Sequence, residues 1–590
     1  MPPSFRPLEA ALLLSSPLPE ALDAPAAHAE LARLVLDAEF ESALSHPLAR
    51  DVLRLAPVKE GETDADGALA ELDVAARLLP SSQSGSAAAD GVEAELARLL
   101  VAVALLQAFV QINYTGPALP SSLSALALFP ADSFSSEVTA ADVDQLSIER
   151  LSFLGEPAYH LAAQPSFLQL AVALLSPPAA GWSASAVESG AWWALRAERV
   201  WHRLLMTDSP LPLREGVLEA AEQLLERPFL DLTEAGSSAV RSTMQDLRAA
   251  LSVEVGLAKH LLLGEDKPAL AAFERATEES ELRYELTGAL GKRTKWQQKE
   301  ASQLVVLAKS RARPGWTPVI TNAPERALQE DGTKATVDQN GIPETLRLND
   351  DTLLEQTAYT ALPPHADTAS DSLLHEIDPR DPPVLHPLDQ ALILALPLVH
   401  HSAHAAASSE LSISQLAPYT ALALTHAQNW SIHTYGLLLR SRAEAGRTRT
   451  VERSVMQLQA LVDQIPLNDT ASSPGIAPVK ERLRYLWQID LPSKWELEAE
   501  LAERLVSLGV FRSAEEIYRR LEMWDMVVRC YQVRDSYRSQ SSHQQRLTAR
   551  SSLPFLSAPR GAGPCDRDRH LAPRRQADRG DADGRKHAQG

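Results

Sequence analysis

Five short clusters carry side chains whose types and spacing could do chemistry. His400, His401 and His404 follow an apolar run and could offer imidazoles to a metal. No Cys, Asp or Glu at ligand spacing completes a shell, so they read as helix-end histidines beside the negative end of a helix dipole. Gly288, Gly291 and Lys292 (GALGK) suggest a phosphate loop, but the four-residue spacing and the preceding strand are both missing. Asn349, Asp350 and Asp351 form an acidic run that lacks the alternating ligands and terminal Glu of a calcium loop. Asp350 or Asp351 is instead expected to cap a helix starting near Thr352, with a partner-binding acidic patch as the alternative. Lys292, Arg293, Lys295 and Lys299 surround Trp296, and such a set can neutralise phosphates while the indole stacks on a base. A solvated helix face with a buried Trp is the plainer reading. Arg440, Arg442, Arg447, Arg449 and Arg453 flank Gly446 between two expected helices and should meet acids of the same chain. No Ser, Cys or His has a discernible nucleophile-and-base context. The expectation is a non-catalytic protein with no cofactor and no metal.

The elements that position these groups follow from composition. The 590 residues suffice for two to four domain-sized units. Hydrophobic residues make up 45% of the chain and aromatics only 5%, and the excess is Ala and Leu, both strong helix formers. Helix-on-helix packing follows, since the β-branched alternation that strands need is nearly absent. A net charge of −21 argues against a nucleic-acid backbone as main partner and serves solubility. Cys530 and Cys565 are the only cysteines, which excludes a disulfide framework and fits a reducing compartment. The N-terminal MPPSFRPLEAALLLSSP lacks a basic region ahead of its short apolar run, so no signal peptide is expected. Leu99–Val110 (LLVAVALLQAFV) falls short of the roughly 20 apolar residues that span a bilayer and reads as a core helix. The sequons at Asn113, Asn429 and Asn468 carry no meaning in a cytosolic chain.

Four regions are expected. Residues 1–312 form an N-terminal helical domain, with amphipathic stretches at Phe167–Leu175, Ser189–Leu205, Leu213–Leu225, Arg241–Leu263 and Lys267–Leu290. Residues 313–387, rich in Pro and acid, read as a linker or long loop with one short helix around Leu373. Helices return over 388–532. Residues 533–590 carry eleven Arg and one Lys against six Asp, without Glu or Ile. This disordered Arg-rich tail reads as translated intron or shifted frame, the alternative being a basic arm for an acidic partner.

The strongest local signal lies at 493–532. Ser493 with Glu496 makes a capping box, in which each side chain satisfies a backbone N–H at the start of a helix. Leu497, Leu501, Leu505 and Leu508 then form one apolar face, and Gly509 can take the positive φ that ends a helix. Ser513 with Glu516 is expected to form a second box. The resulting hairpin resembles a tetratricopeptide repeat at Leu501, Ala502, Leu505, Leu508, Gly509, Phe511, Ala514, Tyr518 and Leu521. The repeat's customary proline has no counterpart, since Met526 occupies that spacing.

Longer segments, in order along the chain, are similar to the tetratricopeptide repeat protein 27 family. They are Leu106–Pro117 (LQAFVQINYTGP), Ala191–Leu205 (AWWALRAERVWHRLL), Gly291–Lys299 (GKRTKWQQK), Leu348–Leu354 (LNDDTLL) and Thr450–Asp463 (TVERSVMQLQALVD). The resemblance covers roughly residues 95–532 and implies an all-α fold of antiparallel hairpins stacked into an α-superhelix, interrupted by a long irregular linker. It implies a protein-binding scaffold in the cytoplasm and also the nucleus, associated with chaperone-linked complex assembly and, in fungi, with cell-wall integrity. The chain is expected to stop as its repeat array begins, leaving the stripe Trp524–Tyr531 uncovered and the clamp for acidic chaperone tails unassembled. A nucleic-acid-associated factor using residues 292–299 or the Arg-rich tail is the alternative.

Overall fold

The structure is a computed structural model that describes residues 5–19, 24–56, 72–78, 91–120, 122–176, 187–206, 216–226, 238–318, 342–343, 345–350, 352–360, 374, 377–403, 410–465 and 477–535. Contacts divide the chain into one unit at Met1–Cys530 and a second at Tyr531–Gly590. In the second, residues 531–535 are helical, with the Arg534 guanidinium 4.5 Å from the Tyr531 ring centroid. The rest of the Arg-rich tail, and the short helix expected around Leu373, lie outside the described residues.

The first unit is mostly helical. At its centre stands α5 (Gly91–Val110), in which every residue from Leu99 to Val110 is buried. A helix apolar on all sides has no face to give to water and must lie inside. It is long and apolar enough to cross a membrane, yet it is surrounded by protein. The helices α1 (Arg6–Leu14), α2 (Ala26–Leu36), α3 (Phe40–Ser45) and α4 (Pro47–Val52) precede it, and α2, α3 and α4 pack on it. So does α7 (Pro165–Leu175), which follows α6 (Ala140–Leu151). Each fully buried Leu, Val or Phe there contributes about 1.5–3 kcal/mol. Asn113 is buried just beyond this helix and is bonded to Phe109 O and Ala163 O, which gives that sequon a structural role.

Then come α8 (Gly190–Leu204), α9 (Val217–Leu225), the long α10 (Ser238–Leu263) and α11 (Asp266–Ser280). The last two cross closely, because Gly256 leaves room for the Phe273 ring; a Cβ there would lie 2.4 Å from Phe273 Cε1.

The chain departs from an all-helical reading at Glu281, which takes φ 55° and ends α11. Strands β1 (Arg283–Thr294), β2 (Ala301–Lys309) and β3 (Leu353–Tyr359) form an antiparallel sheet in the order β2-β1-β3. The helix expected over Lys267–Leu290 therefore stops ten residues early. Thr287 and Gly288 are poor helix formers, and alternate side chains find two different environments. Val306 and Ala308 pack on Phe273 and Leu392, while Val305 and Leu307 meet Leu374. β3 lies inside the stretch expected to be linker.

Helices α12 (Pro387–Ala403), α13 (Glu410–Thr425), α14 (Trp430–Glu444) and α15 (Val451–Gln464) follow, each packed on the next. A short helix α16 (Val479–Leu483) leads to α17 (Lys494–Ser507) and α18 (Phe511–Arg520). One hydrophobic cluster takes residues from Phe5 through Leu262 and from Leu388 to Leu521, so helices on either side of residues 313–387 share a core.

Glu9 ties α1 to the start of α8. Its buried carboxylate accepts from Glu188 N at 3.0 Å and Ser189 N at 2.8 Å. Burial raises its pKa from 4.5 to about 7 against the pull of those N–H donors. An acid raised in the fold stabilises it most below the unfolded value and loses that advantage as pH climbs to the folded one. Between about pH 4.5 and 7.5 the parent should therefore lose roughly 3 kcal/mol relative to Glu9→Gln, at about 1.4 kcal/mol per unit. Urea unfolding of both proteins across that range checks this, and parallel pH profiles would refute it.

Candidate functional site

The hairpin begins as its sequence implies. Ser493 Oγ accepts from Glu496 N and the Glu496 carboxylate accepts from Ser493 N, closing the capping box of α17. Leu501, Ala502, Ala514, Tyr518 and Leu521 are buried between or beneath the two helices. Leu505 and Phe511 are half-buried, and Leu508 is 45% exposed. Gly509 takes φ 81°, so a side chain there would be strained.

The second capping box does not form. α18 starts at Phe511 with Val510 as its N-cap and no side-chain cap, which places Ser513 and Glu516 inside the helix. The chain re-enters helix two residues after Gly509, so the turn is tighter than the sequence suggested.

The hairpin sits on the N-terminal helices through aromatic contacts. Trp495 stacks on Tyr159 with centroids 4.8 Å apart and meets Tyr114 edge-on at 6.3 Å. Tyr159 Oη donates to Leu521 O at 3.2 Å.

Between α8, α14 and the hairpin opens a cleft of about 1070 Å³. Its floor is a lattice of paired charges. Arg203 reaches Asp490 at 2.6 Å and Glu496 at 3.2 Å, and Arg442 reaches Glu500 at 2.8 Å, which Arg504 also contacts at 3.2 Å. Arg199 donates to Trp487 O at 2.7 Å. Burial alone would pull Arg203 down, but Asp490 and Glu496 hold it above its ordinary value. Burial likewise works to raise Asp490 and Glu500, and the neighbouring guanidiniums outweigh it, so both stay below the usual carboxylate range. Arg203, Arg442, Asp490 and Glu500 are thereby kept charged, so this part of the arrangement orients dipoles and ions without readily giving or taking a proton. Tyr114 Oη lines the same cleft, buried and without a hydrogen-bond partner among the described residues.

The other candidates separate. His400 and His401 belong to α12, but their side chains, and His404 altogether, lie outside the described residues. Among the described residues no cluster of His, Cys, Asp and Glu could hold a metal. Gly288, Gly291 and Lys292 are in β1, and an extended strand offers no nest of N–H groups to a phosphate.

Asp350 caps no helix. It accepts from Thr352 Oγ1, Leu353 N and Thr352 N at the entry to β3, and those bonds, the hydroxyl's first, lower its pKa to about 2, while Asp351 lies outside the described residues. Trp296 is 77% exposed at the β1–β2 connection, not buried on a helix. Of the Arg440–Arg453 series, Arg442 and Arg453 do meet acids, Glu500 in one case and Glu444 with Glu355 in the other. Arg440 bonds Gln457, and Arg449 bonds Thr352. Asn429 N-caps α14, Cys530 is buried, and Asn468 and Cys565 lie outside the described residues.

Sequence reasoning missed Arg199, Arg203 and Asp490. The signal was available: Arg196, Arg199 and Arg203 recur at helical spacing on one stripe of an otherwise buried helix.

Comparison with known proteins gives several relatives. The chain is 35% identical over 458 residues to a TPR repeat-containing protein of Schizosaccharomyces pombe, covering 73% of this chain and 51% of that protein. It is 29% identical over 456 residues to a tetratricopeptide repeat protein 27 homolog of Dictyostelium discoideum, covering 74% and 47%. To the Saccharomyces cerevisiae protein named as essential for maintenance of the cell wall it is 27% identical over 514 residues, covering 77% and 53%. No family model and no solved structure matches. The chain spans about half the length of the curated relatives it matches, and across some three quarters of its own length it is similar to tetratricopeptide repeat proteins, a tetratricopeptide repeat protein 27 homolog among them.

Proposed function

We propose that this protein is a non-catalytic scaffold that binds other proteins, and that the cleft beside the capped hairpin is one of its binding surfaces. The observation that carries the reading is a roomy cleft whose floor is pre-set by paired charges and whose rim includes the exposed Met206 and Ser507. A surface held in place before binding loses little entropy on association. Similarity to repeat proteins supports the same class of function. Chaperone-linked assembly in the cytoplasm, with a nuclear fraction, is the finer reading that the family resemblance supports.

The test is tagged purification of the parent and of Met206→Trp with Ser507→Trp, whose indoles would fill the cleft mouth, with cross-links mapped to residues. A stoichiometric partner cross-linked at the cleft, and depleted about ten-fold in the variant, is the expected result. Recovery of general chaperones alone, or equal recovery by both proteins, would sink the proposal. A nucleic-acid-associated factor stays as second reading because Trp296, Arg293, Lys295 and Lys299 are exposed and Lys292 is half-buried beside them. Salt-sensitive retention of single-stranded RNA, lost on Lys292→Ala with Arg293→Ala, would favour it.

A further inference from the structure

The outer half of the β1–β2 hairpin presents a surface that the core does not use. Paired residues of an antiparallel ladder share a face, and the register pairs Leu286 with Val306, Gly288 with Leu304 and Leu290 with Ser302. Near the base this face is covered, where Val306 and Ala308 enter the core with Tyr419 and Leu422. Toward the tip it is open: Leu286 and Leu304 are each 38% exposed, Leu290 is 54% exposed and Trp296 is 77% exposed. Lys292 lies on the same face, and Arg293, Lys295 and Lys299 surround the connection. Among the described residues none of these four cations has an ion-pair partner, although the chain carries a net charge of −21 and its arginines elsewhere are extensively paired. Glu300 is the single acid of the connection.

We propose that this face and tip bind an extended acidic peptide segment of a partner protein, in which apolar side chains alternate with Asp or Glu. The inference rests on the reading of the protein as an interaction scaffold, but concerns a surface separate from the cleft. Charge complementarity selects an anion. The aliphatic groups select a peptide over a nucleic acid. Bases stack on flat rings, and Trp296 is the one ring at the tip, whereas three leucines offer contacts that apolar side chains fill. The strongly acidic body also repels a long polyanion more than a short acidic segment. β2 is an edge strand whose outer residues Ala301 and Ser302 are exposed, so a segment can lie extended beside it.

Fluorescence anisotropy of a labelled twelve-residue peptide of alternating Leu and Glu, added to the full chain, tests this directly. The expected result is saturable binding that weakens with salt. It should fall about ten-fold or more in Lys292→Glu with Lys295→Glu, and comparably in Trp296→Ala, with far-UV circular dichroism unchanged. Absence of saturable binding, or equal affinity in parent and variants, overturns the proposal. So does tighter binding of a twelve-nucleotide uridylate or of phosphatidylserine vesicles that the same substitutions abolish. The outcome is separable from the cleft reading, because partners held at the cleft should still be recovered with the Lys292→Glu, Lys295→Glu protein.

Discussion

Glu254→Ala should lower the unfolding free energy by about 3–5 kcal/mol, the cost of leaving a buried charge without its partner. Glu254 lies on α10, 1% exposed, and accepts four hydrogen bonds. Trp192 Nε1 and Arg196 Nε donate at 2.8 Å, and Arg196 Nη2 and Gln488 Nε2 donate at 2.7 Å. Arg196 is fully buried and also donates to Leu13 O at 2.9 Å, while its guanidinium lies over the Trp193 and Trp487 rings. One ion pair therefore joins α1, α8, α10 and the turn at 486–488. Removing the carboxylate strands the guanidinium and leaves an indole N–H and an amide unsatisfied in the same place. A conservative double change, Glu254→Met with Arg196→Met, removes both charges and should be less destabilising than Glu254→Ala alone. Urea midpoints of parent, single and double variants measure this. A single variant with the parent's midpoint would show that the pair is not the keystone the geometry makes it.

Much of this architecture was legible in the sequence where one signal dominated. The all-round apolarity of Leu99–Val110 allowed only a central helix, and a central helix it is. The first capping box was legible because Ser493 and Glu496 stand immediately before an amphipathic run, with nothing competing for their side chains. Ser513 and Glu516 have the same spacing, but Gly509 ends α17 early enough for helix to resume at Phe511. The positive φ of a glycine, not the pair of polar residues, decides where the second helix starts.

The sheet was hidden for a different reason. RYELTGALGKRT contains few β-branched residues, and its Ala and Leu favour helix on local propensity. Its strand state comes from pairing with β2, whose Val305–Ala308 is buried on both faces, and tertiary burial overrides propensity there. The cleft was unreadable as a site because its parts come from residues 110–114, 199–206, 261–262, 442–446 and 486–526, which only the fold brings together.

Arg313→Ala should cost a similar roughly 3–5 kcal/mol, with the damage at the junction of the sheet and α12. Composition changes at this residue, from helix-forming sequence to Pro and acid, and that change suggested a boundary. The side chain says otherwise. Arg313 is 7% exposed and grips Asp389 with Nη1 at 2.8 Å and Nη2 at 3.0 Å, while its Nε reaches Asp246 at 2.8 Å. Burial would pull its pKa down, but the two carboxylates hold it above the ordinary value. Asp389 is completely buried and also accepts from Ser280, so the ion pair fastens the end of α11, the segment after β2 and the first turn of α12. His386 packs into the same junction, where burial first, and then Arg313, Arg484 and Arg311, push it down to about 2 and keep it neutral. Loss of Arg313 strands Asp389 far more than Asp246, which keeps Arg311 at 2.7 Å. Amide hydrogen exchange should therefore quicken in β2 and the first turn of α12 while α5 stays protected. Adding Asp389→Asn should restore part of the loss by removing the stranded charge. If exchange in α12 matches the parent, or if the second substitution adds its full cost, then the Arg313–Asp389 pair does not hold this junction.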